Sequence, residues 1–194
     1  MPRPLLLTIT LLLASLLLGC DRQEKKITAD PAKPLEVSLS AVNTGNGLQP
    51  LSGADGRTTA IVVAGSPCRS CKLNPTGHAY IYFTIDPKLK SPQGALRNGK
   101  IQVEYYDSGV GELHMQYDGS NFGDDGHGAY SGSDTVVKLT GDQTWKTAAF
   151  PFHDAQFQNR QNGHADFRIE SKQTPLSVKK VTLLHNEPSS RPAK

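Results

Sequence analysis

The sequence predicts an all-β fold, an antiparallel jelly-roll β-sandwich of about eight or nine strands. Three observations carry that expectation. Apolar residues recur at every second position in one segment after another, turn-forming pairs separate the segments, and no stretch carries a helical stripe of useful length. A closed barrel of the same strands is the alternative.

In chain order, Leu35, Val37, Leu39 and Ala41 alternate with polar neighbours, as do Ala79, Ile81, Phe83 and Ile85. Ile101, Val103 and Tyr105 follow, then Leu113, Met115 and Tyr117. Further strands are expected at 135–140, 147–152, 165–170 and 176–184. Between them stand Asp86-Pro87, Asn98-Gly99, Ser108-Gly109, Asp118-Gly119, Gly141-Asp142 and Asn162-Gly163, all turn signals.

Hydrophobic residues make up 37% of the chain, enough for one domain with a sizeable core, which the strand pattern places at 35–187. Residues 21–34 are charged and proline-bearing with no apolar period, and so read with residue 20 as a flexible tether; 188–194 read as a disordered tail. With 21 Lys and Arg against 18 Asp and Glu and no long basic run, nucleic acid is excluded as a partner.

At the N-terminus Arg3 precedes a largely apolar run, Leu5 to Leu18, and then Gly19-Cys20. A spanning helix needs about 20 apolar residues, so 1–19 read as an export signal, an uncleaved signal anchor being the alternative. The junction Leu17-Leu18-Gly19-Cys20 resembles the lipobox of bacterial lipoproteins. That resemblance implies cleavage before Cys20 and acylation of Cys20, palmitate included. The domain would then be held on the bacterial cell membrane or outer membrane, facing the periplasm or the exterior.

With Cys20 acylated, Cys68 and Cys71 remain as a pair, and export favours a disulfide between them. Pro67 before them and Asn74-Pro75-Thr76-Gly77 after them suggest a stapled loop. A redox motif, or a zinc site drawing on His78, is the competing reading.

Three stretches carry a second resemblance. They are Tyr80-Ile81-Tyr82-Phe83-Thr84-Ile85-Asp86, Val103-Glu104-Tyr105-Tyr106-Asp107, and Thr144-Trp145-Lys146 leading to Phe157 through Ile169. Together they resemble the galactose-binding-like β-sandwich domains that bacteria attach to secreted polysaccharide-processing proteins. The resemblance spans roughly residues 59–184 and implies sugar binding, often a structural calcium, and no catalysis of the domain's own.

Sugar recognition uses flat aromatic faces and planar hydrogen-bonding groups. If Ile81 and Phe83 face the core, Tyr80 and Tyr82 face away, and Tyr106 does so on its own strand; ordinary cross-strand pairing is the alternative role. Trp145 is expected to plug one end of the sandwich, a sugar platform being the alternative. Asn159, Arg160, Asn162, Asp166 and Arg168 form a second candidate cluster, against the alternative that Asp166 and Arg168 make a surface ion pair. Asp118, Asn121, Asp124 and Asp125, in a glycine-rich loop, are candidate calcium ligands.

No nucleophile elbow, zincin motif or phosphate loop occurs. The expected function is that of a membrane-anchored, non-catalytic domain binding a polysaccharide or glycoconjugate. An envelope module docking a protein partner, or a small polysaccharide-active hydrolase or lyase, are the alternatives.

Overall fold

A computed structural model describes residues 26–53, 55–90, 96–120 and 128–185. The expected signal at 1–19, Cys20 and the tail at 188–194 lie outside the described residues. In chain order the strands are β1 (Leu35–Ser38), β2 (Thr44–Asn46), β3 (Leu48–Leu51), β4 (Thr59–Val63), β5 (Ser66–Cys71), β6 (His78–Ile85) and β7 (Gly99–Tyr106). There follow β8 (Val110–Tyr117), β9 (Ser131–Gly132), β10 (Val137–Thr140), β11 (Trp145–Phe152), β12 (Phe167–Lys172) and β13 (Leu176–His185).

They form the jelly-roll β-sandwich expected, with two sheets rather than a closed barrel. The first sheet runs β11-β7-β13-β1-β2, with β5 also on β13 and β4 on β5; the second runs β10-β8-β12-β6-β3, with β9 on β8. Every strand pair is antiparallel. No helix among the described residues is long and apolar enough to cross a membrane.

Each segment with period two contains a strand. The five strands beyond that expectation are short. Pro50 sits in β3, at the border of the second sheet, where a missing N–H need not interrupt a ladder. β4 and β5 close through Ala64 and Gly65, both left-handed (φ 45° and 75°), the backbone that a tight two-residue hairpin requires.

Alternation builds the core. Ile81, Phe83, Met115, Phe150, Phe167 and Ile169 are among its fully buried side chains. Phe83 and Phe167, opposite each other in register, stack with centroids 5.0 Å apart.

Two expectations are corrected here. Cys68 and Cys71 are free, buried thiols, not a disulfide. They lie three residues apart on one strand, where about 3.3 Å of rise per residue separates the Cα atoms by roughly 10 Å, too far for an S–S bond. The tether is also shorter than 20–34. Ile27 N–H donates to Gln49 Oε1, Ala29 N–H to Asp86 Oδ2 and Asp30 N–H to Asn46 Oδ1, while Asn46 Nδ2 donates to the carbonyls of Asp30, Lys33 and Pro34. One asparagine satisfies four backbone groups, so residues from Ile27 onward belong to the domain.

Candidate functional site

The second sheet gives one face to the core and carries a polar, aromatic surface on the other. β6 sends His78, Tyr80 and Tyr82 outward by alternation. β12 sets Arg168 in register with Tyr82 and Gln116, and Glu170 with Tyr80 and His114.

Arg168 is the centre of this face. Its guanidinium carbon lies 4.2 Å from the centroid of the Tyr80 ring and 4.5 Å from that of Tyr130. Nε donates to Gln116 Oε1 at 2.7 Å and Nη1 to the Tyr82 hydroxyl at 2.8 Å. Tyr130 is itself held by Asn162, whose backbone N–H donates to the phenol oxygen (2.9 Å) and whose Oδ1 accepts the phenol proton (3.0 Å). A cation flanked by two rings and fixed by two hydrogen bonds has little rotamer freedom left, so its remaining donors hold a defined direction.

Around this centre both glutamates have partners. His78 Nδ1 lies 2.6 Å from Glu170 Oε1, and the His78 ring stacks on Tyr80 with centroids 5.9 Å apart. His114 Nε2 meets Glu112 Oε2 at 2.9 Å, and Glu112 also takes Lys138. Burial pushes the Tyr82 phenol up to about 12; Arg168 acts against the shift and Asp55, which accepts the Tyr82 hydroxyl proton at 3.3 Å, acts with it.

Several expectations for site residues change. Tyr80 and Tyr82 do face away from the core, yet they are 9% and 2% exposed and form a second cluster with Ala165 and Leu51. Gly56 lies flat against Tyr82; a Cβ there would stand 2.4 Å from its ring. The half-exposed ring of this face is Tyr130. Tyr106 belongs to the first sheet, so the three tyrosines form no common platform. It packs edge-on against Trp145, with centroids 5.3 Å apart. Trp145 is half-buried and outside the core cluster, not a plug: its indole N–H donates to the Val63 carbonyl at 3.3 Å, and Lys179 sits over its ring.

The second candidate cluster separates into structure and site. Asp166 makes no surface pair with Arg168; it is fully buried and accepts from Lys90 Nζ, Ile85 N–H, Thr84 Oγ1 and Asn159 N–H. Asn159 spends its amide on Thr84 Oγ1 and the His164 carbonyl, and accepts from Lys90. Arg160 grips the fully buried Asp118, whose Oδ2 also accepts the Gln158 and Arg160 amides. Two left-handed residues, Phe157 (φ 48°) and Asn159 (φ 61°), strain this loop, and the two buried aspartates hold it in place. These residues are therefore corrected from ligand contacts to loop supports. For Asp118 this replaces the calcium role, since its oxygens face protein donors; Asn121, Asp124 and Asp125 lie outside the described residues. Of the cluster, Arg168 and, through Tyr130, Asn162 stand on the outer face.

Residues missed in the sequence include Tyr130, Gln116, His78, Glu170 and His114. Strand alternation against Leu113 and Met115 would have placed His114 and Gln116. Tyr130 follows a glycine-rich stretch without period and gave no such signal.

No family model matches the chain, and no curated protein matches it. Its fold is similar to that of a substituted family 29 carbohydrate-binding module, with TM-score 0.40, 12% identity, and coverage of 84% of this chain and 100% of that one. A module described as specific for non-crystalline cellulose gives 0.40 and 11%, with 82% and 96% covered. The family 22 xylan-binding domain from Paenibacillus barcinonensis gives 0.41 and 13%, with 78% and 94% covered.

Proposed function

We propose that this protein is a carbohydrate-binding lipoprotein whose outer second-sheet face holds the glycan and whose acylated Cys20 holds the domain on a bacterial membrane. The observation that supports the sugar-binding role is the Arg168 cage. A half-exposed ring, Tyr130, stands beside a fixed guanidinium and the planar amide of Gln116, the pairing of flat apolar surface and in-plane donors that pyranose rings use. The reading assigns no reaction to the chain. Titration of the purified protein against a panel of polysaccharides, with Tyr130→Ala as the matched variant, tests it. Binding weakened at least about tenfold by the substitution supports the reading; no binding to any polysaccharide defeats it. Fractionation tests the anchor: Cys20→Ser should move the protein out of the membrane fraction.

A second reading, a module that docks a protein partner, is favoured by one observation. Among the described residues β4 pairs only with β5, which leaves its other edge without a strand partner there, with Val62 70% exposed. Cross-linking in intact cells separates the two, since one stoichiometric protein partner favours docking.

A further inference from the structure

The outer face of the second sheet has an uneven charge ledger. Both of its glutamates have a basic group beside them, Glu170 the His78 ring and Glu112 the Lys138 ammonium and the His114 ring. Two of its cations have no acidic partner among the described residues. Among the described residues Arg168 bonds only neutral oxygens, Gln116 Oε1 and the Tyr82 hydroxyl. Lys172, in register with His78 and Glu112 on the same strand, has no ion pair among the described residues.

A guanidinium offers five N–H donors in a planar fork. Two of those on Arg168 are used, one on Nε and one on Nη1, which leaves Nη2 and the second Nη1 proton without a partner among the described residues. Tyr80 and Tyr130 occupy the space beside the guanidinium plane, so a ligand approaches along its edge. Carboxylate and phosphate both meet a guanidinium edge with two parallel hydrogen bonds, and of the two it is the carboxylate that belongs to a sugar's own carbon skeleton, at C6 of a uronic acid. Among the described residues the further acid near this centre is Asp55, which is spent on the Tyr82 hydroxyl, one hydrogen bond removed from Arg168.

We propose that the ligand of this face is an acidic glycan, a polymer containing uronic acids, with one carboxylate held in the plane of Arg168. This rests on the sugar-binding reading above and narrows its substrate class. Arg168 and Lys172 stand four residues apart on an extended strand, about 13 Å, so the two cations meet different sugar residues of one polymer.

The test uses the full chain and two probes, polygalacturonate and alginate, each compared with the same polymer after its carboxyl groups are reduced to primary alcohols. The reduced polymer keeps its sugar rings and loses only the charge, so the unaltered protein serves as its own folding control. Binding should weaken at least about tenfold on carboxyl reduction, and by a similar factor for Arg168→Gln against the native polymer. Arg168→Lys should recover part of the loss, because an ammonium supplies charge without the fork. Equal binding of native and reduced polymers, or binding confined to neutral or sulfated glycans, overturns the uronate assignment and leaves the sugar-binding reading standing. No binding to any glycan overturns both.

Discussion

Lys146 Nζ lies 2.7 Å from Asp107 Oδ2, and the carboxylate it meets has no exposure to solvent. Asp107 follows β7 in phase with Ile101, Val103 and Tyr105, so alternation drives it inward. Thr140, through its amide and hydroxyl, and the Gly141 amide complete its set of donors. Burial alone would raise this carboxyl. The bonds from Lys146, Gly141 and Thr140 outweigh burial and hold it at about 2, against an ordinary value of 3.8. A depressed carboxyl stabilises the fold fully above its unfolded value, and that contribution is lost as pH falls toward the folded one. The difference in Tm between the native protein and Asp107→Asn should thus be constant above about pH 5 and shrink between about pH 4 and pH 2. Circular dichroism melts across that range measure it; a gap unchanged at pH 2 contradicts the assignment.

Cys68 and Cys71 should behave as protected thiols. Burial raises both above the ordinary thiol value, and the thiolate is the reactive form. Ellman's reagent should leave both untouched in the folded protein at pH 8 and titrate both in denaturant. Mass spectrometry finding the pair two hydrogen atoms lighter, as a disulfide, would show the strand assignment of β5 to be wrong.

Arg160→Ala should weaken the fold and spare the ligand. It strands the buried Asp118 carboxylate with fewer donors, a change that costs about 3 kcal/mol when a buried pair loses one partner. The urea midpoint should fall accordingly. Glycan affinity per folded molecule should hold, whereas Tyr130→Ala should do the reverse.

Asn46→Ala should release the segment before β1. The substitution removes three bonds to the carbonyls of Asp30, Lys33 and Pro34 and the acceptor of the Asp30 amide. Hydrogen exchange at Asp30 should quicken by about tenfold or more while β6 and β12 stay protected. Uniform loss of protection would mean that the clasp supports the whole sandwich.

The fold was legible where long strands alternate cleanly, as in Ala79–Ile85 and Leu113–Tyr117. It was illegible in the shorter strands β2 to β5 and β9, two of which contain a proline: Pro50 and Pro67 mimic loop punctuation in a sequence and yet occupy strands whose neighbours leave room for them. The site was half legible for a different reason. Alternation fixes which way Tyr80 and Arg168 point but says nothing of what arrives from elsewhere to cover them, here the loop at Gly56 and the ring of Tyr130. The same limit applies to Asp118 and Asp166. Among polar loop residues they look like free ligands; only the tertiary fold brings Arg160 and Lys90 to them.

The clasp at Asn46 sets a short leash. If Cys20 carries the acyl chains, six residues separate it from Ile27, and fully extended these reach roughly 20 Å. A domain so closely moored cannot sweep the space above the bilayer. It would sample only glycan lying within about its own width of the lipid surface, and lengthening the leash, rather than altering the binding face, would be the change that widens its range.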